Sequence, residues 1–453
     1  MKILHDSKII LLCLGDLAVF YLSLFLALLL RYQGEFAWPL WEDHLLPFGL
    51  LFVLWFAVFY IAGLYDVRRL RNGLDFFRGY AGSWAVNAGL AIAFFYLIPR
   101  FGITPKTNLL LFIAIFGVLA ALWRRYFNRL AVNLRPVSRV LFVGTSPAIA
   151  ELQLFLTQNT QFGYEPVRHQ TNSRNELPAD KVAWAKLIRE ERLNLIVLPR
   201  HFRRDPQLGK AFFGLLDLGV GIKYLPDFYE FVLRRVPLDE IDEEWFLEHV
   251  PHQSSFYHDT KSALEILAAL IAQIILLPLE ILIALLIALT SRGPVIYRQP
   301  RVGRQGKIFT LYKFRSMYHA KELNPDADSS QAVWAGATDK RVTPIGKIIR
   351  QTHLDELPQL VNILKGDLAF VGPRPERPAI VEDLQTKVPY YRMRLLLRPG
   401  VTGWAQINYP ADQTLEDVMR KLEYDIYYLK NRSFVLDIVI LVRTLKLFFW
   451  SPK

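Results

Sequence analysis

Four apolar runs open the chain, at about 9–30, 45–65, 80–99 and 108–123, each near the ~20 residues that cross a hydrocarbon core. They predict four helices. The pattern then changes to strand–helix alternation. Arg139-Val-Leu-Phe-Val-Gly144 reads as a buried strand with a glycine turn, and a helix follows over 147–158. A helix over 181–192 leads to the strand Asn194–Leu198, and a helix over 207–218 leads to Gly221–Leu225. Such alternation predicts a doubly wound parallel sheet. A fifth apolar run, Ser262 to Leu289, precedes a polar, glycine-rich and basic region that continues to the C-terminal helices.

The first run follows Lys2 and Lys8, but it is too long for a signal-peptide core and lacks a small-residue cleavage site, so a retained helix is expected. Basic residues orient the helices. Arg68, Arg69, Arg71 and Arg78 follow the second run, and Arg124, Arg125, Arg129, Arg135 and Arg139 follow the fourth. The 31–44 loop instead carries Glu35, Glu42 and Asp43 against Arg31. Both ends of the unit are therefore expected in the cytoplasm, with everything beyond it. Asp16, inside the first run, reads as a carboxylate near the interface that faces other helices.

The fifth run carries Pro278 and Glu280 near its centre. Proline removes a backbone donor and kinks a helix. A crossing would also carry Arg292, Arg298, Arg301 and Arg304 outside, against the charge rule. The expectation is a re-entrant helix, 262–289, bent at Pro278 and returning to the side it entered. The expected domains are a four-helix transmembrane unit (1–125), a nucleotide-fold domain (136–250) and a C-terminal domain (256–453).

Composition narrows the function classes. Hydrophobic residues make up 52% and charged residues 21%, below the ~25% of soluble domains, which excludes a disordered chain. The net charge of +12 suits an anionic partner. Much of it flanks apolar runs, so acidic lipid explains it more simply than nucleic acid, which is not expected as a partner. With Cys13 alone, neither an internal disulfide nor a CxxC zinc cluster can form. The turn Gly144-Thr-Ser-Pro-Ala148 has one glycine where a dinucleotide fingerprint needs three, so the middle domain reads as degenerate, structural or regulatory.

The chemistry concentrates beyond Ser291. The pieces are Gly293-Pro-Val-Ile-Tyr297, Gln299 with Arg301 and Gly303, Tyr312-Lys-Phe-Arg-Ser-Met317, Leu354-Asp-Glu-Leu-Pro-Gln-Leu360, Lys365-Gly-Asp367, Val371-Gly-Pro-Arg-Pro375 and Arg398-Pro-Gly-Val-Thr-Gly-Trp-Ala-Gln406. Singly they are bland. Asp355 ahead of Leu357, Leu360, Val361 and Leu364 is by default a helix N-cap, and Gly-Pro-Arg-Pro is a turn. Together they supply what phosphoryl transfer needs. Asp355 at a helix start can be a nucleophile forming an acyl phosphate, and Arg350 and Arg374 can fork onto phosphate oxygens. Asp355 and Glu356 offer hard oxygen ligands to Mg²⁺.

In these motifs, residues 256–453 closely resemble the polyprenyl-phosphate sugar-1-phosphate transferases, the bacterial sugar transferase family of monotopic phosphoglycosyl transferases. The front of the chain resembles the long form of that family. The resemblance implies an Asp–Glu dyad at Asp355 and Glu356, phosphate-binding arginines at Arg350 and Arg374, and a Mg²⁺ requirement. It also implies transfer of a sugar phosphate from a UDP-sugar to undecaprenyl (polyprenyl) phosphate with release of UMP. That is the first membrane step of exopolysaccharide, capsule or O-antigen assembly, on the cytoplasmic face of a bacterial inner membrane. A homodimer is implied by the resemblance alone. Lys313, Arg315, Arg301 and Gln406 complete the expected phosphate- and substrate-binding set, without individual roles for Lys313 and Arg315. The chain departs from the family where Asp259-Thr-Lys261 replaces a Lys-Arg pair with an Asp, and where Leu277-Pro278 replaces a Ser-Pro break.

Two other classes stay open at this point. A membrane nucleotide-sugar dehydratase or epimerase needs a Tyr-x-x-x-Lys relay, and Tyr257 and Lys261 have that spacing, though outside the nucleotide fold. A non-enzymatic scaffold for glycan enzymes would not need Asp355, Arg350 and Arg374 together. Tyr390–Arg394 and Val442–Trp450 suit either interfacial helices or core packing.

Overall fold

The computed structural model describes residues 2–32, 38–65, 72–97, 106–133, 137–167, 178, 181–204, 212–250, 255–318, 341–409 and 414–450. Arg68, Arg69, Arg71 and Arg135, used above for orientation, lie outside them, as does part of the expected 207–218 helix. The chain divides into two compact units, Met1–Phe228 and Tyr229–Lys453.

The first unit opens with the four expected helices, α1 (Lys2–Tyr32), α2 (Trp38–Ile61), α3 (Leu74–Leu97) and α4 (Lys106–Asn133). Among the described residues four helices are long and apolar enough to cross a membrane: α1, α2 and α4 through the windows Ile9–Tyr32, Trp38–Ile61 and Thr107–Leu130, and one in the second unit, Tyr257–Thr290. The composition of α3 is diluted by Ser83 and Asn87, which are buried in the bundle, where Asn87 reaches the Trp55 carbonyl. Phe20, Phe48, Trp55, Phe112 and Phe116 fill the bundle core, several edge-to-face. Asp16 faces the other helices, bound by Tyr65 and the fully buried Arg124, which ties α1 to α4.

A four-stranded, all-parallel sheet follows, β1 (Ser138–Phe142), β2 (Tyr164–Pro166), β3 (Leu193–Leu198) and β4 (Gly221–Tyr224), in the order β2-β1-β3-β4. β2 is too short for its periodicity to register in the sequence. Helix 147–158 forms where expected, and Ser146 accepts from the Ile149 amide at 3.3 Å. One of the N-terminal donors that would meet a phosphate in a cofactor loop is thus taken by the cap.

The second unit begins earlier than the sequence boundary at 250 to 256 suggests. Val236, Ile241, Trp245 and Phe246 pack in one core with Val302, Tyr391, Leu422 and Ile426. Arg235 pairs with Glu423, and Lys430 reaches Glu230 at 2.7 Å. Its first long element is a 36-residue helix, Ser255–Thr290, with Pro278 inside it. Next come an antiparallel hairpin, β5 (Ile296–Val302) and β6 (Ile308–Phe314), and a two-stranded parallel pair, β7 (Ala369–Val371) and β8 (Gly400–Thr402). Helices 344–351, 359–364, 378–387, 404–408, 415–431 and 434–450 pack around them. Tyr390–Arg394 is core packing: Tyr391 is buried and Arg394 pairs with buried Asp425. Helix 434–450 forms, but the side chains of 445–450 lie outside the described set.

Candidate active site

The site is built on β6 and the chain that follows it. Thr343 caps helix 344–351 through the Gly346 amide at 2.8 Å. A Cβ on Gly346 would sit 1.9 Å from the Ser316 carbonyl oxygen, so only glycine lets this helix touch the end of the β6 segment. The helix ends at Gln351, and His353 turns the chain with φ +53°, a left-handed conformation uncommon outside glycine. One 3₁₀ turn, Leu354–Glu356, then carries both carboxylates. Leu354 and Leu357 flank them and pack on Ile283, Ile287, Phe314 and Ile349, which pins the turn to the long helix.

Asp355 is therefore not a helix N-cap. The next helix, Gln359–Leu364, has Pro358 at its cap position and no side-chain cap bond. The left-handed His353 and Pro358 divide the stretch into two short pieces, where the apolar spacing alone suggested one helix. At about three residues per turn, neighbouring side chains point roughly 120° apart, so the two carboxylates diverge.

Lys313, on β6, donates to Glu356 at 2.6 Å. Burial alone would raise the Glu356 carboxyl, but Lys313 and Arg374 outweigh it and hold the group below its ordinary value. Asp355 moves the other way. Burial raises it, helped by Glu356, and Lys313, His353 and Arg350 offset this only in part. Two adjacent carboxylates in opposite states of poise suit two different roles.

Arg301, Lys313, Glu356, Gln359 and Arg374 line one small cavity. Gln359, buried in the same wall, was not singled out from the sequence; its signal was a polar residue inside an apolar stripe. Asn362, also buried, accepts from the Tyr312 amide at 3.1 Å and donates to the Thr310 carbonyl at 2.7 Å. It grips β6 on both sides of Leu311, next to Lys313. Arg374 is held by a backbone-to-backbone contact: a Cβ on Gly400 would lie 2.1 Å from the Gly372 nitrogen. Arg301 fixes the same loop through the Pro375 carbonyl at 2.8 Å and Glu376 at 3.5 Å.

The other expected residues lie further out. Arg350 acts on Asp355 through its field, from the last turn of its helix. Arg315 is buried and donates to the Ser291 and Pro294 carbonyls, both at 2.8 Å, tying the end of the long helix to β6. Gln406 shares with Arg374 a second, larger cavity of about 690 Å³. Its amide nitrogen is buried and has no hydrogen-bond partner among the described residues, and the cavity it borders has the volume of a nucleotide site.

The profile of the family described as bacterial sugar transferase matches residues 256–451. The UDP-glucose:undecaprenyl-phosphate glucose-1-phosphate transferase of Klebsiella pneumoniae is 30% identical over 402 residues, 82% of this chain and 83% of that one. The chain belongs to the bacterial sugar transferase family. The UDP-N-acetylgalactosamine-undecaprenyl-phosphate N-acetylgalactosaminephosphotransferase of Aeromonas hydrophila is 38% identical over 227 residues, 50% of this chain and 52% of that protein. A glucose-1-phosphate transferase of Escherichia coli K12, also acting on undecaprenyl phosphate, is 36% identical over 236 residues, 51% and 49% of the two. The match to these two relatives thus spans about half their length. Membership makes this bacterial sugar transferase an enzyme of the phosphoglycosyl transferase class, and its apolar helices make it a membrane protein.

In this sugar transferase Tyr257 and Lys261 form no proton relay. Both bind Asp437 at 2.9 Å, and Lys261 also donates to the Val371 carbonyl and the Tyr428 hydroxyl, which anchors the start of the long helix. Among the described residues no group of three or more His, Cys, Asp or Glu side chains could hold a metal. Asp355 and Glu356 offer carboxylate oxygens of the kind Mg²⁺ takes, one of them already bound by Lys313 at 2.6 Å.

Proposed function

We propose that this sugar transferase moves a sugar-1-phosphate from a UDP-sugar to undecaprenyl phosphate and releases UMP. The observation that carries the reading is the juxtaposition of Asp355, raised by burial, with the Lys313–Glu356 pair and Arg374. A carboxylate oxygen of Asp355 attacks the sugar-proximal phosphorus. The bond to the bridging oxygen breaks, and UMP leaves with that electron pair. An oxygen of undecaprenyl phosphate then attacks the same phosphorus and expels the Asp355 carboxylate, forming the lipid diphosphate sugar. Desolvation makes Asp355 more basic and hence a better nucleophile. Arg374, with Arg350 behind Asp355, stabilises the phosphoryl oxygens, and Lys313 keeps Glu356 ionised. Mg²⁺ held by Asp355 and Glu356, when bound, would neutralise charge on the diphosphate of the donor and on the departing UMP. The 690 Å³ cavity beside Arg374 and Gln406 takes the nucleoside and sugar.

The same reading puts the catalytic unit on the cytoplasmic face of the bacterial inner membrane, behind a helix that enters and leaves on one side. In support, the long helix touches its own unit along its whole length. Lys261 reaches Val371 and Glu265 accepts from the Phe370 amide near its start. Ala269 packs with Leu360 and Ile363 in the middle, and Ile287 with Phe314 near its end. A spanning helix would leave one half in lipid without such contacts. The middle sheet reads as a degenerate Rossmann-like module without cofactor. Incubating the protein with radiolabelled UDP-sugars and undecaprenyl phosphate, and following label into the lipid phase, tests the activity. Omitting the acceptor should give about one UMP per site and a sugar-phosphate adduct on the Asp355 peptide. Transfer without a burst or an adduct would leave a single displacement instead.

A further inference from the structure

Away from Asp355, a third cavity, polar, lies at the start of the long helix. It has room for about 30 Å³ of solvent, and its wall contains four cations, Lys261, Arg304, Arg398 and Arg432, against one carboxylate, Glu265. A single water needs at least about 10–15 Å³, so the space holds roughly two waters or one small polar group. Lys261 is committed to Asp437 at 2.9 Å and to Glu265 at 3.7 Å. Arg304 donates to His258 Nε2 at 2.7 Å, which makes that imidazole neutral, with its ring nitrogen as acceptor. Arg398 donates to the Ser262 hydroxyl at 3.0 Å. The three arginines come from three separate segments, and each is half-buried. Solvated surface charge does not converge in this way; guanidinium groups gathered on one concavity match a phosphate anion.

The position identifies what carries the phosphate. The apolar window of the long helix begins at Tyr257, in the wall of the cavity. Just beyond, Leu264 and Leu267 are exposed, and Val435 and Ile438 stand exposed on helix 434–450, which packs on Tyr257 through Phe434. A cationic cavity bordered by exposed aliphatic side chains fits an anionic head group with acyl chains alongside. None of the three arginines lines the cavity that holds Glu356. We propose that this cavity is a lipid-phosphate site, in which Arg304, Arg398 and Arg432 hold the phosphate of a membrane lipid where the long helix enters the bilayer.

Native mass spectrometry of the full chain, released from micelles doped with phosphatidylglycerol, phosphatidylcholine or undecaprenyl phosphate, tests this. The wild type should keep phosphatidylglycerol, undecaprenyl phosphate or both in preference to phosphatidylcholine. The lipid whose retention the Arg304→Gln/Arg432→Gln variant loses names the source, because undecaprenyl phosphate also binds at Asp355 in the proposed reaction. Arg304→Gln/Arg432→Gln should lose about fivefold in retention per charge removed, as for a basic residue at an anionic membrane surface. Arg304→Lys/Arg432→Lys should keep the preference for anionic lipid, though with weaker retention, and it serves if the glutamine variant does not fold. Equal retention of phosphatidylcholine by the wild type, or undiminished retention by a folded glutamine variant, would overturn the site. Displacement of the lipid by an equal concentration of inorganic phosphate would overturn its assignment to lipid.

Discussion

Replacing Lys313 by methionine tests the electrostatic core of the site. The side chain keeps most of its length, and Glu356 loses a 2.6 Å charged partner in a setting where both side chains are only about one-fifth exposed, 21% and 20%. A hydrogen bond to a charged group is worth about 1.5–3 kcal/mol, and breaking a fully buried pair costs about 3–5 kcal/mol. Partial exposure places this loss near 2 kcal/mol, or about a 30-fold fall in kcat/KM. The pH profile should move as well. Lys313 lowers both carboxyls, so its removal raises both, and the acid limb of kcat/KM shifts to higher pH. Label transfer into the lipid phase, measured at saturating acceptor across pH, reads both effects. Lys313→Arg should keep the limb in place, because the charge remains. Activity within about threefold of wild type together with an unmoved acid limb would refute the role given to this pair.

Asp355→Asn should cost at least about a thousandfold in turnover, yet raise the thermal midpoint by about 2 °C. The sign follows from the raised carboxyl: its ionised form costs stability above its unfolded value, and a neutral amide removes that cost. Arg374→Lys should lose most activity despite keeping its charge, checked in the same assay, because an ammonium cannot fork onto a phosphate. Asp16→Ala strands Arg124 inside the bundle and should destabilise it by about 3–5 kcal/mol, whereas the double change Asp16→Leu/Arg124→Met should recover much of that in a detergent melt. A chain of residues 229–453 should melt cooperatively, and one starting at 256 should not, because the second chain lacks Val236, Trp245 and Phe246 from its core. Cysteine labelling at positions 261 and 292 in a protein lacking Cys13 should report the same side for both ends of the long helix.

Local patterns carried a large part of this molecule. The apolar runs located α1 to α4 and the 255–290 helix, and the strand–helix alternation located a parallel sheet. The motif residues nominated the carboxylates and arginines of the candidate site, because the proposed phosphoryl chemistry restricts which residue types serve. What the sequence left undetermined depends on contacts between distant segments. No period reveals that His353 is left-handed and that Asp355 lies in a 3₁₀ turn instead of at a helix cap. The basic residues look equivalent along the chain, and packing separates them: Lys313 meets Glu356, Arg315 is tied to the Ser291 and Pro294 carbonyls, and Arg304, Arg398 and Arg432 gather elsewhere. Residues 236–246 join the catalytic unit because their apolar side chains find partners more than fifty residues downstream, which no local window can register. Sequence thus sets which groups are available and which segments become helix or strand. Only the tertiary fold decides which charges are desolvated together, because burial and distance between remote residues are properties of the packed chain.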